Sequence, residues 1–365
     1  MGPIFIKEQY PEGTEFMEIN GLSELLAKAE LMSNSNEFKE SLRGKILRIN
    51  LNYTERTNYS IPQEGDSVKD LVIKTIFRPI DGQAKKLLKV PDELKEFIPM
   101  ASYIDLSDND ISDLPEWMDG HKIKGLYLSN NKLSVFPKWI KKLRSLRVLN
   151  LNNNQISQIP ETEFLKGYNH LETLILSGNK LTSIGFFVFN LRNLETIDLS
   201  FNQIEDCMSP DYFRGNKKLK AIILDFWGPE INDLDFRHTP QLEELSLEGH
   251  EIGLWLKEGL ADNIADGMEK IKMENPDEFG EDYVDDGSFI LAYDYLQDRG
   301  IYELKNLKYL NLSSNGLSAL PNKVFNLQNL KTLVLEDNNF SNEQISILKQ
   351  KFPDIEDMRF DARFD

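Results

Sequence analysis

The chain has 365 residues, 60 acidic against 42 basic side chains, a formal net charge of −18 and one cysteine, Cys207. This acidity weighs against nucleic acid and anionic membranes as partners, because both select basic surfaces. A single cysteine excludes an intramolecular disulfide and fits a reducing, cytoplasmic compartment, and with no apolar run of bilayer length or secretory leader, no membrane role is expected.

Residues 1–100 carry 16 acids and 14 bases. GLSELLAKAELM, over 21–32, predicts a helix, and the alternating stretches KILRINLNY (45–53) and LVIKTIFR (71–78) predict strands. In VPDELKEF (90–97), Pro91, Leu94 and Phe97 keep a three-residue spacing that recurs downstream. The expectation is an α+β amino-terminal cap covering the exposed apolar edge of the downstream array. One hundred residues exceed a cap's needs, so a separate catalytic or modifying domain stays open as the alternative.

From residue 101 a template returns about every 23 residues, starting at 101, 123, 146, 171, 194, 219 and 242, and again at 307 and 330. In LRVLNLNNNQISQIP (146–160) it places apolar residues at positions 4, 6 and 11, namely Leu149, Leu151 and Ile156, with Asn154 at position 9. The asparagine recurs as Asn109, Asn131, Asn154, Asn179, Asn202, Asn315 and Asn338. In the copies beginning at 219 and 242, Trp227 and His250 replace it.

This period and pattern, over residues 100–361, resemble leucine-rich repeats. The P-x-x-I-x-x-L ending in Pro137-Ile140-Leu143 and Pro321-Val324-Leu327 is similar to the 23-residue class found in intracellular signalling proteins and in bacterial proteins exported into host cells. The resemblance implies an α/β fold, a leucine-rich repeat solenoid (horseshoe) with a parallel concave β-sheet of ten strands, the last closing near Met358. It also implies that each position-9 asparagine turns inward and bonds the backbone. Asn150, Asn152 and Asn153, at positions 5, 7 and 8, are left facing solvent.

Between 250 and 307 the repeat stops, and about 42 extra residues leave and rejoin it. Residues 251–305 hold 15 acids and 5 bases. Helical spacing at Leu260, Ile264, Met268 and Ile271, and again over Phe289–Leu296, predicts two short helices. Between them lie Asp277, Glu278, Glu281, Asp282, Asp285 and Asp286. The D-x-[DN]-x-[DN]-G spacing of a calcium loop is absent, so no metal is expected there. A solvated loop or a recognition loop for a basic partner surface are the two readings. The expected domains are 1–100, the cap; 101–252, repeats; 253–305, a helical acidic insertion; and 306–365, repeats with a carboxy-terminal cap.

Nucleophile, phosphate-loop and zinc-peptidase signatures are missing, and His121, His170, His238 and His250 fall in different repeats near turns. Cys207 occupies position 14, a packing position. No enzyme and no cofactor are expected. The resemblance places ligands on the concave face, at positions 2, 3, 5, 7 and 8. There Ile175, Phe201, Ile223 and Phe226, flanked by Tyr103, Tyr127 and Tyr309, form the candidate surface for a protein partner.

Overall fold

The computed structural model describes residues 15–43, 45–51, 86–119, 122–159, 170–183, 188, 191–204, 213–226, 234–250, 300–320 and 322–361. The expected strand 71–78, the two insertion helices, His121, Cys207, Trp227 and the six insertion acids Asp277, Glu278, Glu281, Asp282, Asp285 and Asp286 lie outside these residues. The chain divides into two compact units, Met1–Gln203 and Ile204–Asp365.

In the first unit, β1 (Phe16–Asn20), β2 (Ile46–Asn50), β3 (Ala101–Asp105), β4 (Gly125–Tyr127), β5 (Val148–Asn150), β6 (Thr173–Ile175) and β7 (Thr196–Asp198) form a parallel sheet in chain order. Register joins equivalent template positions: Leu126 faces Leu149, Leu149 faces Leu174, and Leu174 faces Ile197. A strand's two-residue alternation sends positions 4 and 6 to one side, where this row is buried. Each such side chain contributes roughly 1.5–3 kcal/mol on leaving water.

The three-residue spacing after the strand has a mechanical origin. Pro91, Pro115 and Pro137 stand immediately before 3-10 turns at Asp92–Glu96, Glu116–Met118 and Lys138–Lys142. The amide of Ile140 donates to the carbonyl of Pro137, that of Leu143 to Ile140, and that of Leu146 to Leu143. A 3-10 path repeats every three residues, so Ile140, Leu143 and Leu146 are buried together.

Residues 15–51 continue the sheet. The predicted helix appears as α1 (Leu22–Asn34), which buries Leu25, Ala29 and Met32 on one stripe and is followed by α2 (Asn36–Ser41). β2 falls within KILRINLNY, whereas β1 has no counterpart among the strands predicted from sequence. Both strands carry an I-N ending, and Asn20 aligns with Asn50.

In the second unit, β8 (Ala221–Ile223), β9 (Glu244–Ser246), β10 (Tyr309–Asn311), β11 (Thr332–Val334) and β12 (Asp357–Arg359) run parallel in the same manner. Leu245 faces Leu310 directly, so the strands on either side of the long insertion are sheet neighbours. Helix α3 (Asn342–Lys351) begins with a capping box: the Gln344 amide donates to Ser341 Oγ (3.2 Å), and Gln344 Oε1 accepts from the Ser341 amide (2.9 Å). The expected ten strands correspond to β3–β12, with β1 and β2 added ahead of them.

Candidate partner-binding surfaces

The position-9 asparagines occupy equivalent sites. Asn154 Nδ2 donates to the carbonyls of Leu128 (2.9 Å), Leu151 (3.0 Å) and Asn152 (3.2 Å), while its Oδ1 accepts from the Leu133 amide (3.0 Å). Asn131, Asn179, Asn202 and Asn338 repeat this arrangement. Asn109 reaches back to the carbonyl of Leu51, and Asn315 to that of Leu247. His250 takes the same place: its Nε2 lies 2.7 Å from the Leu224 carbonyl, and its amide donates to Asn315 Oδ1 (2.9 Å). It is thus a buried turn residue and a member of the row.

One residue earlier, position 8 adopts left-handed backbone in all nine copies, at Asp108, Asn130, Asn153, Gly178, Phe201, Phe226, Gly249, Ser314 and Asp337. Asn, Asp and Gly tolerate this region and bulky residues do not. The polar members bond sideways. Asn130 Nδ2 donates to Asp108 Oδ1 (2.7 Å), and Asn153 Nδ2 to Asn130 Oδ1 (2.8 Å). Asn153 also lies over Gly178, where an added Cβ would stand 2.0 Å from its Oδ1. Phe226 caps Gly249 similarly, with its Cε1 at 2.2 Å from such a Cβ. Asn153 therefore serves a lateral row. Asn150 is buried, its Oδ1 accepting from the Asn152 amide (3.0 Å), and Asn152 accepts from Ser177 Oγ (3.2 Å). The three asparagines expected to face solvent are all engaged.

The same crowding governs the candidate surface. Ile175 is fully buried, and Tyr103, Tyr127 and Ile223 are nearly so. Ile175 stands in register between Asn150 and Asp198, both buried, and with strands about 4.8 Å apart adjacent side chains close over one another. Burial pushes the Asp198 carboxyl above its usual range, against the opposing effect of hydrogen bonds from Ser200. Phe201 and Phe226 do reach solvent, 55% and 41% exposed. Phe201 belongs to the first unit and Phe226 to the second.

Tyr309 is half-buried at the centre of a charged group in the second unit. Burial holds its hydroxyl well above the normal tyrosine range, reinforced by Asp225, Glu244 and Glu248 and opposed by Arg359. Burial, then the neighbouring Glu243, raises the Glu244 carboxyl. Glu248 accepts from Asn311 Nδ2 (3.0 Å), and Asp225 accepts from the Glu248 amide (3.0 Å). Arg359 bonds Asp357 (2.7 Å) and feels Glu336. Carboxylates outnumber the two cations that act on the group, Arg359 and Lys308, and nothing in the linear sequence marked it because its residues come from β9, β10 and β12 and from the segments following β8, β9 and β11.

Among the described residues no group of three His, Cys, Asp or Glu side chains is arranged to hold a metal ion. No helix among them is long and apolar enough to cross a membrane.

Comparison with known families places residues 121–166 in "leucine rich repeats (2 copies)" and residues 169–226 and 306–327 in "leucine rich repeat". The human leucine-rich repeats and immunoglobulin-like domains protein 3 is 41% identical over 86 residues, 23% of this chain but 8% of that protein, so the likeness spans a small part of the relative. A leucine-rich repeat protein of Leptospira interrogans superposes with a TM-score of 0.47 at 19% identity, covering 90% of this chain and 86% of that one. The functional domain of InlJ from Listeria monocytogenes gives 0.44 at 16% identity, covering 75% and 51%. The internalin InlF of the same organism gives 0.42 at 18%, covering 75% and 78%.

Proposed function

We propose, from the premise that this chain is a leucine-rich repeat protein, that it is a non-catalytic protein–protein interaction module whose partner presents a basic surface. The observation that carries this reading is the group around Tyr309, where Asp225, Glu244 and Glu248 act on the half-buried hydroxyl and Glu336 and Asp357 lie by Arg359, with Arg359 and Lys308 as the opposing cations. Electrostatic complementarity of this kind selects partners and speeds encounter. In the same unit Phe226 supplies exposed aromatic area, the type of side chain that dominates binding energy at interfaces, and Phe201 offers such area separately on the first unit. The acidic stretch 274–286 would add to the attraction.

The division into 1–100, 101–252, 253–305 and 306–365 belongs to this reading. The pairing of β2 with β3 favours an amino-terminal segment that starts the array over an independent catalytic domain. Export from a bacterium into a host cytoplasm is the setting suggested by the 23-residue repeat class.

Selection of a random peptide library on the immobilised full chain tests the proposal. Enrichment of Lys- and Arg-rich peptides bearing an apolar residue is expected, with that enrichment lost in E248Q/E336K at an unchanged melting temperature. A neutral or acidic consensus, or undiminished enrichment by the variant, would sink it.

A further inference from the structure

From Gly120 to Pro160 the sequence contains eight basic residues and no acid, in a chain of net charge −18. Three of the eight are bonded to acids of neighbouring repeats: Lys132 to Asp110 (3.0 Å), Lys142 to Asp119 (2.9 Å), and Arg147 to Glu172. Lys138, Lys141 and Arg144 are exposed, and among the described residues no carboxylate forms an ion pair with them.

Their alignment follows from the backbone. The 3-10 turn Lys138–Lys142 buries Trp139 and Ile140. Residues three apart eclipse one another in such a turn, at about 2.0 Å rise per residue, so Lys138 and Lys141 stack on one outward line about 6 Å apart. Arg144 is exposed in the turn just beyond and adds a third cation next to them in sequence.

We propose that this row is a docking site for an extended, acidic segment of a partner protein. In an extended chain alternate side chains recur on one face about every 6.6–6.8 Å, close to the separation of the two lysines, so carboxylates at alternate positions can engage successive cations. A long nucleic acid would meet the negative field of the rest of the chain, whereas a short acidic segment can cover the row alone. This site is independent of the basic-partner reading above and selects the opposite charge.

The test is fluorescence anisotropy with a labelled peptide of about twelve residues alternating Glu and Ser, titrated with the full chain. Saturable binding is expected, weakening severalfold as ionic strength rises toward physiological values. It should fall at least tenfold in K138Q/K141Q/R144Q and persist in K138R/K141R. K39Q/K89Q/K95Q, which removes equal charge from other exposed lysines of the same unit, should bind like the parent. Thermal melts establish folding of each variant, and the single substitutions K141Q and R144Q replace the triple one if it melts early. Absence of binding at low salt, undiminished binding by the glutamine variants, or equal loss in the Lys39 control set would overturn the proposal. Tighter binding of a single-stranded DNA of equal length through the same three residues would overturn it in favour of nucleic acid.

Discussion

Asn154 shows how one side chain can carry a repeat. Its amide satisfies three carbonyls and one amide that would otherwise be buried without partners. Replacing it with Ala should cost roughly 2–4 kcal/mol, since each orphaned buried group costs about 1–3 kcal/mol. The same change at the half-buried Asn338 should cost less, because water can reach part of that site. Urea denaturation of the two variants, compared at constant slope, checks the order. Phe201 presents the converse case, a large aromatic at φ 53, matched only by Phe226 at φ 47 where the other seven copies use Asn, Asp, Ser or Gly. Phe201→Asn should stabilise the chain by about 1 kcal/mol, because Asn tolerates the left-handed conformation better than a bulky ring does. Destabilisation by this variant in thermal melts would mean that ring packing outweighs strain there. All seven ladder asparagines were legible in the sequence, because each had to sit at a fixed offset from the inward leucines. The burial of Ile175 was not: exposure there depends on the size of side chains one strand away, about 23 residues distant in sequence.

At the scale of the element, the repeat halves encode two periodicities. Alternation marks the three-residue strands, and the spacing Pro137, Ile140, Leu143, Leu146 marks a three-per-turn path whose bonds are present in the structure. Both were readable. Strand β1 was missed because it lacks the asparagine template and its neighbour in the sheet lies 30 residues away. The shared I-N ending of FMEIN and ILRIN was the available signal. The acidic group around Tyr309 escaped for a related reason: its members are brought together only by register, Glu244 facing Tyr309 and Tyr309 facing Thr332. Composition located acidity in residues 251–305, and the described residues add a second concentration of it on β8–β12.

Across the whole molecule, charge is distributed in blocks: an acid-free stretch from 120 to 160, and acids gathered beyond residue 220. Such segregation suits a protein that meets partners of different sign at different places, and it could be counted directly from the sequence once the repeat frame was known. The direct pairing of β9 with β10 carries a further implication. Because Leu245 and Leu310 are adjacent rungs, the intervening segment leaves one coil and rejoins the very next, and lengthening such a connection costs only about 0.6 kcal/mol per doubling. Exchanging residues 251–299 for a Gly/Ser linker of about seven residues, which restores the 23-residue period, should therefore leave a cooperative melt within a few degrees of the parent. Calorimetry of that variant reads the result. If it holds, the junction after His250 is a natural graft site, where foreign domains could be spliced in without altering the scaffold that displays them.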